Sequence, residues 1–425
     1  MSLWISKGKI LTKFSALQVL IQVVTALSGF LIVRILDKSQ YAAYTIAASL
    51  QALLMVLSDS GISWGLNAIG GRIWTDPSRL RGLVATSLRL RGYLAAIAIP
   101  VTMCSAFYLL GKNGVPWQTT VGLTAGVIAT IWGTFLATIY AAPLRLYSRY
   151  GTVQKFALVG ACLRLLLIGS LAFAFLNAVS ATFVTAISLT IQGLLIRKSA
   201  FSVLSNETHQ DESDRDALVG LIKKQFLMTI FIAYRGQISI WIISIFGSPD
   251  KVADIGALIR LSIIFSLVGT VLEGLVAPTL ARCQTLGRLV RLFAFSLFCY
   301  LSAAALLLFC SFVFPAQLLW VLGGKYASLT REVPLLVISS VVAGLTDVIH
   351  TLTLSRGWIW HMWAIPFATV LVQIGCVHFV RLNSVAGVLQ FSIFSMMPSL
   401  LGTSYMTTRG LWRSWRMGYL APVSA

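Results

Sequence analysis

The chain has 425 residues, a mean hydropathy of +0.86, 57% apolar residues and only 11% charged ones. Soluble domains carry roughly 25% charged residues, so this composition excludes a water-soluble protein, and a β-barrel is excluded by apolar runs far longer than its roughly ten-residue alternating strands. The formal charge of +20 fits the Lys and Arg that collect in the cytoplasmic loops of membrane proteins, and no nucleic-acid partner is expected.

Lys7, Lys9 and Lys13 precede the first apolar run, which continues to about Ile35. That is too long for the core of a signal peptide and reads as a spanning helix. Candidate spans then follow at 43–66, 92–111, 118–142, 156–176 and 178–196. After a polar stretch come 226–247, 254–277, 290–313, 333–354, 358–380 and 384–407. Turn signals separate them at Asp76-Pro77-Ser78, Gly111-Lys112-Asn113-Gly114, Ser248-Pro249-Asp250 and Gly323-Gly324-Lys325. The expected fold is all-α, with about twelve transmembrane helices in two six-helix lobes around a central cavity. The lobes are placed at 1–197 and 225–408, with a linker at 198–224 and a tail at 409–425.

The linker holds Glu207, Asp211, Glu212, Asp214 and Asp216, an unusual share of thirteen acidic residues. It reads as a solvated, flexible connection that a Gly/Ser segment over Asn206–Asp214 could replace. Its Asp214-Arg215-Asp216 has a D-x-D form but no nucleotide fold around it. Alternate connections differ sharply in basic content. One set carries Arg72, Arg79, Arg81, Arg89, Arg91, Arg145, Arg149, Lys223 and Lys224 among others; the opposite set carries few, such as Lys38, Lys112 and Lys251. This asymmetry predicts that both termini and the linker are cytoplasmic.

Once loops are assigned, Arg164, Arg235 and Arg260 remain at membrane depth, with the acids Asp59, Glu273 and Asp347. Each such charge costs a few kcal/mol or more and needs a partner or a wet cavity. Structural ion pairs between helices and substrate contacts are both open readings. Arg235 lies in the polar patch Ala233-Tyr234-Arg235-Gly236-Gln237, and Arg235 and Arg260 on adjacent helices could converge on one anion. Asp347 and His350 share a helix face at i, i+3, as a satisfied pair or a proton relay. Trp132 and Trp241 read as core packing. A weak repeat links Asp37-Lys38 with Asp250-Lys251, each followed by one acid, Asp59 or Glu273, and a glycine. No nucleotide-binding loop and no metal-ligand spacing of histidines occurs, so no cofactor, metal or enzymatic activity is expected. Six cysteines lie in or beside apolar runs and read as buried, unpaired thiols.

Four stretches carry a resemblance. Val33-Arg34-Ile35-Leu36-Asp37-Lys38 with Tyr41-Ala42-Ala43-Tyr44 resembles the first loop of polysaccharide flippases, where the pattern is Arg-x-Leu and then Tyr-Gly-x-Tyr. Asp59-Ser60-Gly61-Ile62 is similar to the close of their second helix, and Pro278-Thr279-Leu280-Ala281 to that of the eighth. Leu319-Trp320-Val321-Leu322-Gly323-Gly324-Lys325-Tyr326 resembles the loop before the tenth. Two departures are Ala42 for the loop glycine and Gln237 where an Asp is frequent.

The resemblance is to lipid-linked oligosaccharide flippases of O-antigen and exopolysaccharide assembly. These belong to the multidrug/oligosaccharidyl-lipid/polysaccharide exporter superfamily. It implies a bacterial inner-membrane protein that moves an undecaprenyl-diphosphate-linked oligosaccharide between leaflets by alternating access. It also implies the lipid bilayer, a polysaccharide polymerase and chain-length proteins as partners. Arg34, Arg164, Arg235, Gln237 and Arg260 would then meet the substrate, and Asp59, Glu273, Asp347 and His350 would couple or gate. The alternatives are a multidrug or organic-cation antiporter of the same superfamily, and a polysaccharide polymerase or ligase, which would want a large external loop.

Overall fold

The computed structural model describes residues 2–173, 176–209, 211–262, 280, 283, 285–356, 358, 360 and 362–417, with side chains from Ala16 to Arg416. All regular elements among them are helical. In order they are α1 (Ser2–Ile35), α2 (Lys38–Asp59), α3 (Ile62–Ile73), α4 (Pro77–Lys112), α5 (Trp117–Leu146), α6 (Tyr150–Leu171) and α7 (Ala178–Ala200). Then come α8 (Glu212–Phe246), α9 (residues 249–262), α10 (Leu286–Val313), α11 (Pro315–Trp320), a 3-10 helix (Gly324–Arg331), α12 (Val333–Ser355), α13 (Ala364–Phe379) and α14 (Val385–Met417). Among the described residues, 10 helices are long and apolar enough to cross a bilayer, and α13 is a shorter apolar one. Every expected span but the eighth coincides with described helices, the second being shared by α2 and α3. The eighth is described only as far as residue 262, so Glu273 and the Pro278-Thr279 stretch lie outside the described residues.

The chain forms two compact units, Met1–Ala253 and Asp254–Ala425. In the first, α5 lies along α7. Gly133 and Gly193 permit this: a Cβ on either would fall within 2.6 Å of backbone atoms of the facing helix. Small residues are what let membrane helices approach so closely, because apolar area gives no drive for association in lipid. Helix α8 packs on α2, α3 and α4, so this unit carries the seventh span as well. In the second unit, α12 and α14 pack together, flanked by α10 and α13. A hydrogen bond of 2.8 Å joins the Thr353 and Thr407 hydroxyls.

The second span is broken. Helix α2 has 22 residues, roughly 33 Å of rise, enough to cross a hydrocarbon core of about 30 Å. It then stops at Ser60 (φ 39°) and Gly61 (φ 89°), both left-handed. Gly61 suits this conformation, which other residues adopt at a cost. Its position also lets α8 in, since a Cβ there would lie 3.3 Å from Gln225 Cβ. Helix α3 restarts at Ile62 and continues past the span.

The segment expected as a flexible linker is built differently. Helix α7 runs through Arg197–Ala200, and α8 begins at Glu212. Leu204 and Leu218 are buried in a core with Leu66, Leu80, Leu83 and Tyr140. Asp211 caps α8 by accepting from the Ser213 amide. Asp214, only 7% exposed, accepts two hydrogen bonds from Arg79 at 2.8 and 2.9 Å. Arg79 also reaches Asp211 at 2.9 Å. The Asp211 carboxyl is held below its usual range by hydrogen bonds from Ser213, with Arg79 and His209 adding to the effect. The His209 amide donates to the Ser78 carbonyl at 3.2 Å. An isolated D-x-D in a polar run gives no sign of this, because the partner lies far away in sequence. The physical correction is that Asp214 is an anchor, and replacing Asn206–Asp214 removes it.

Two changes test this. Asp214→Asn should lower the folding stability of the detergent-solubilised protein by about 1–3 kcal/mol, the range for a charged hydrogen bond whose partner loses it. Glu207→Gln, at an exposed position, should leave the melting curve where it was. Equal curves for all three proteins would contradict the anchoring role.

Candidate functional site

The first unit holds a buried ion pair at the break in the second span. Arg91 on α4 is 3% exposed, and its guanidinium donates to Asp59 at the end of α2 and to the Thr138 hydroxyl on α5. Asp59 also accepts from the Ser63 hydroxyl at 2.6 Å and the Ser63 amide at 3.3 Å. It therefore caps α3 across the break. Phe135 closes the arginine from another side, its ring centroid 5.0 Å from the guanidinium carbon. The Arg91 Nε, Ser58 hydroxyl and Ser87 hydroxyl are buried with no hydrogen-bond partner among the described residues. One cluster thus joins α2, α3, α4 and α5 at the basic ends of the helices.

Arg91 corrects the sequence reading, which placed it in a connection beside Arg89. Helix α4 has 36 residues, roughly 54 Å of rise, and Arg91 lies well inside it. The signal available was Asp59 itself, an acid at the end of an apolar run that needed a counter-charge.

Further toward the opposite end, Arg164 on α6 is half-buried and donates to the Tyr44 hydroxyl at 3.1 Å. Its Nε is buried without a partner among the described residues. Tyr44 stands beside Tyr41, ring centroids 6.1 Å apart. Helix α8 adds Trp241, whose indole donates to the Ser49 hydroxyl at 3.3 Å, with Tyr234 beside it at 6.4 Å. Tyr41 and Tyr44 are buried, while Arg164, Tyr234 and Trp241 are half-buried. Trp241 is therefore a polar contact as well as packing. Trp132 is 58% exposed and is not core.

The remaining predicted residues lie on several helices. Arg34 is exposed in the last turn of α1. Arg235 and Gln237 are half-buried on α8 and belong to the first unit; Arg260, also half-buried, belongs to the second. Asp347 is exposed and His350 half-buried, both on α12. Of the two Asp-Lys pairs of the weak repeat, Asp37 caps α2 and Asp250 lies inside the first turn of α9. All six cysteines are free, but only Cys283 is buried and Cys104 is exposed.

No family model and no curated protein matches the sequence. Solved structures do match. An inward-facing multidrug resistance MATE family transporter of the MOP superfamily superposes with a TM-score of 0.72 and 12% identity, over 93% of this chain and 95% of that one. The Vibrio cholerae MATE transporter VcmN gives 0.61 at 14% identity, over 95% and 98%. The eukaryotic MATE transporter AtDTX14 gives 0.59 at 12%, over 96% and 99%. The chain has the MATE transporter fold. The MATE fold agrees with the expected all-helical, two-lobed architecture.

The Arg91–Asp59 pair makes a direct prediction. Removing one partner of a buried pair costs about 3–5 kcal/mol, because the other charge is stranded. Arg91→Met and Asp59→Asn should each cut the yield of monodisperse protein on size exclusion. The double variant should recover most of it. A double variant as poor as the singles would show that the cluster is held by something other than charge pairing.

Proposed function

We propose that this protein is a membrane transporter that carries its solute across the bilayer by alternating access. The observation that carries the reading is the MATE fold, matched over nearly the whole of both chains. The matched protein with TM-score 0.72 is described as a multidrug resistance transporter, and the first reading for this chain is export of an amphipathic organic solute. The half-buried aromatic residues Tyr234 and Trp241 suit a planar or apolar cargo.

One observation favours a second reading, the flipping of a lipid-diphosphate-linked oligosaccharide. The acid of the first unit that an organic cation would seek, Asp59, is already neutralised by Arg91. The other charge described at depth with its contact, Arg164, is basic and sits on a tyrosine hydroxyl. A guanidinium offers a diphosphate a planar, multi-donor partner, and it repels a cation. In this reading the basic ends of the helices face the cytoplasm of a bacterial cell, following the excess of Lys and Arg there.

The two readings separate in reconstituted vesicles. Cation export predicts uptake of ethidium above that of protein-free vesicles, and no protection of a fluorescent lipid-diphosphate glycan from leaflet-specific quenching. Flipping predicts the reverse. Under the flipping reading Arg164→Lys retains part of the rate and Arg164→Ala abolishes it, with both variants folded. Vesicles that move neither cargo, with the protein shown to be inserted, would contradict both.

A further inference from the structure

The end of the second unit gathers basic residues. No Asp or Glu occurs after Asp347, while Arg356, Arg381, Arg409, Arg413 and Arg416 do. Arg409 and Arg413 are one turn apart at the end of α14, on one face. Both guanidinium carbons lie 5.9 Å from the centroid of one indole, Trp360. Arg409 also donates to the Tyr405 hydroxyl at 3.2 Å. Like charges at this spacing repel, and among the described residues no carboxylate pairs with either.

The indole is held in place. Trp360 packs on a core of Leu280, Cys283, Leu352 and the fully buried Trp358. The Trp358 ring in turn occupies the space at Gly410, where a Cβ would come within 2.2 Å of it. The two arginines are therefore gathered by a fixed platform.

A groove of about 480 Å³ opens beside that platform, between α13 and α14. Its walls include Ile365, Ala368, Met397 and Leu401, and Trp360 and Tyr405 stand both in the groove and in the arginine cluster. Pro398 lies inside α14 at the groove wall, where a missing backbone donor favours a bend. The groove is almost wholly apolar.

We propose that this is a binding site for an anionic glycerophospholipid. The phosphate lies between Arg409 and Arg413 and offsets their repulsion. One acyl chain lies in the groove along Ile365 and Leu401. Charge complementarity selects the head: guanidiniums bind phosphate with charge-assisted hydrogen bonds, and a zwitterionic lipid brings a cation of its own. The adjoining apolar groove selects a lipid over a free anion, because a phosphate alone leaves it unfilled. Trp360 and Tyr405 are amphipathic aromatics of the kind that occupy the headgroup level.

The test uses the intact protein, delipidated in neutral detergent and titrated with phosphatidylglycerol or phosphatidylcholine while bound lipid is counted by native mass spectrometry. Phosphatidylglycerol should bind saturably and more tightly than phosphatidylcholine. Each basic side chain near an anionic headgroup strengthens attraction about fivefold, so Arg409→Gln with Arg413→Gln should weaken phosphatidylglycerol binding by about 25-fold. Phosphatidylcholine binding should not change, which also shows that the variant is folded. Leu401→Trp, at an exposed wall position, fills the groove and should weaken phosphatidylglycerol with both arginines present. Equal binding of the two lipids by the unaltered protein would overturn the proposal. So would undiminished phosphatidylglycerol binding in the double variant, or competition by inorganic phosphate at the same concentration as the lipid.

Discussion

The pairing of Arg91 with Asp59 ties the interruption of the second span to α4. Without a counter-charge, either group would be stranded where water is scarce, at a cost of several kcal/mol. With it, Asp59 is free to cap α3 through Ser63, so the chain can stop, turn through two left-handed residues and start again. The restart carries α3 past the apolar layer. There it meets α8, with Gly65 close against Leu218 and Leu221.

That meeting explains why α8 belongs with the first unit. Its opening turns lie on α3 and its tip is fastened to α4 by Arg79. Further along, Trp241 bonds to Ser49 on α2. A helix held at both levels is not tethered by a passive connection. Any movement of α8 away from α2, α3 and α4 has to break these contacts.

The helices themselves were legible in the sequence, because crossing a bilayer is a demand on local length and composition, and every expected span within the described residues falls on a helix. The polar contacts were not, and particular residues show why. Arg91 sits two positions from Arg89 and looks like a loop residue; only the depth of α4 reveals it. Arg79 and Asp214 are 135 residues apart, and no local pattern announces their contact. Asp214 looks like part of a solvated acidic run, which is what most such runs are. Arg164 was recognised as a charge at depth, but its partner, Tyr44, follows from the packing of α6 near α2. Arg235 and Arg260 lie on consecutive helices in the sequence, and the boundary between the two units falls between them.

Residues 197–200 and 212–224 are helical and pack within the first unit, with Leu204 buried between them. Hydrogen–deuterium exchange of the detergent-solubilised protein, read on peptides covering Leu218–Lys224, tests this packing most directly. The account predicts slow exchange there, comparable with the start of α4, and loss of that protection in Asp214→Asn. Exchange at the rate of an unstructured chain in the unaltered protein would contradict it.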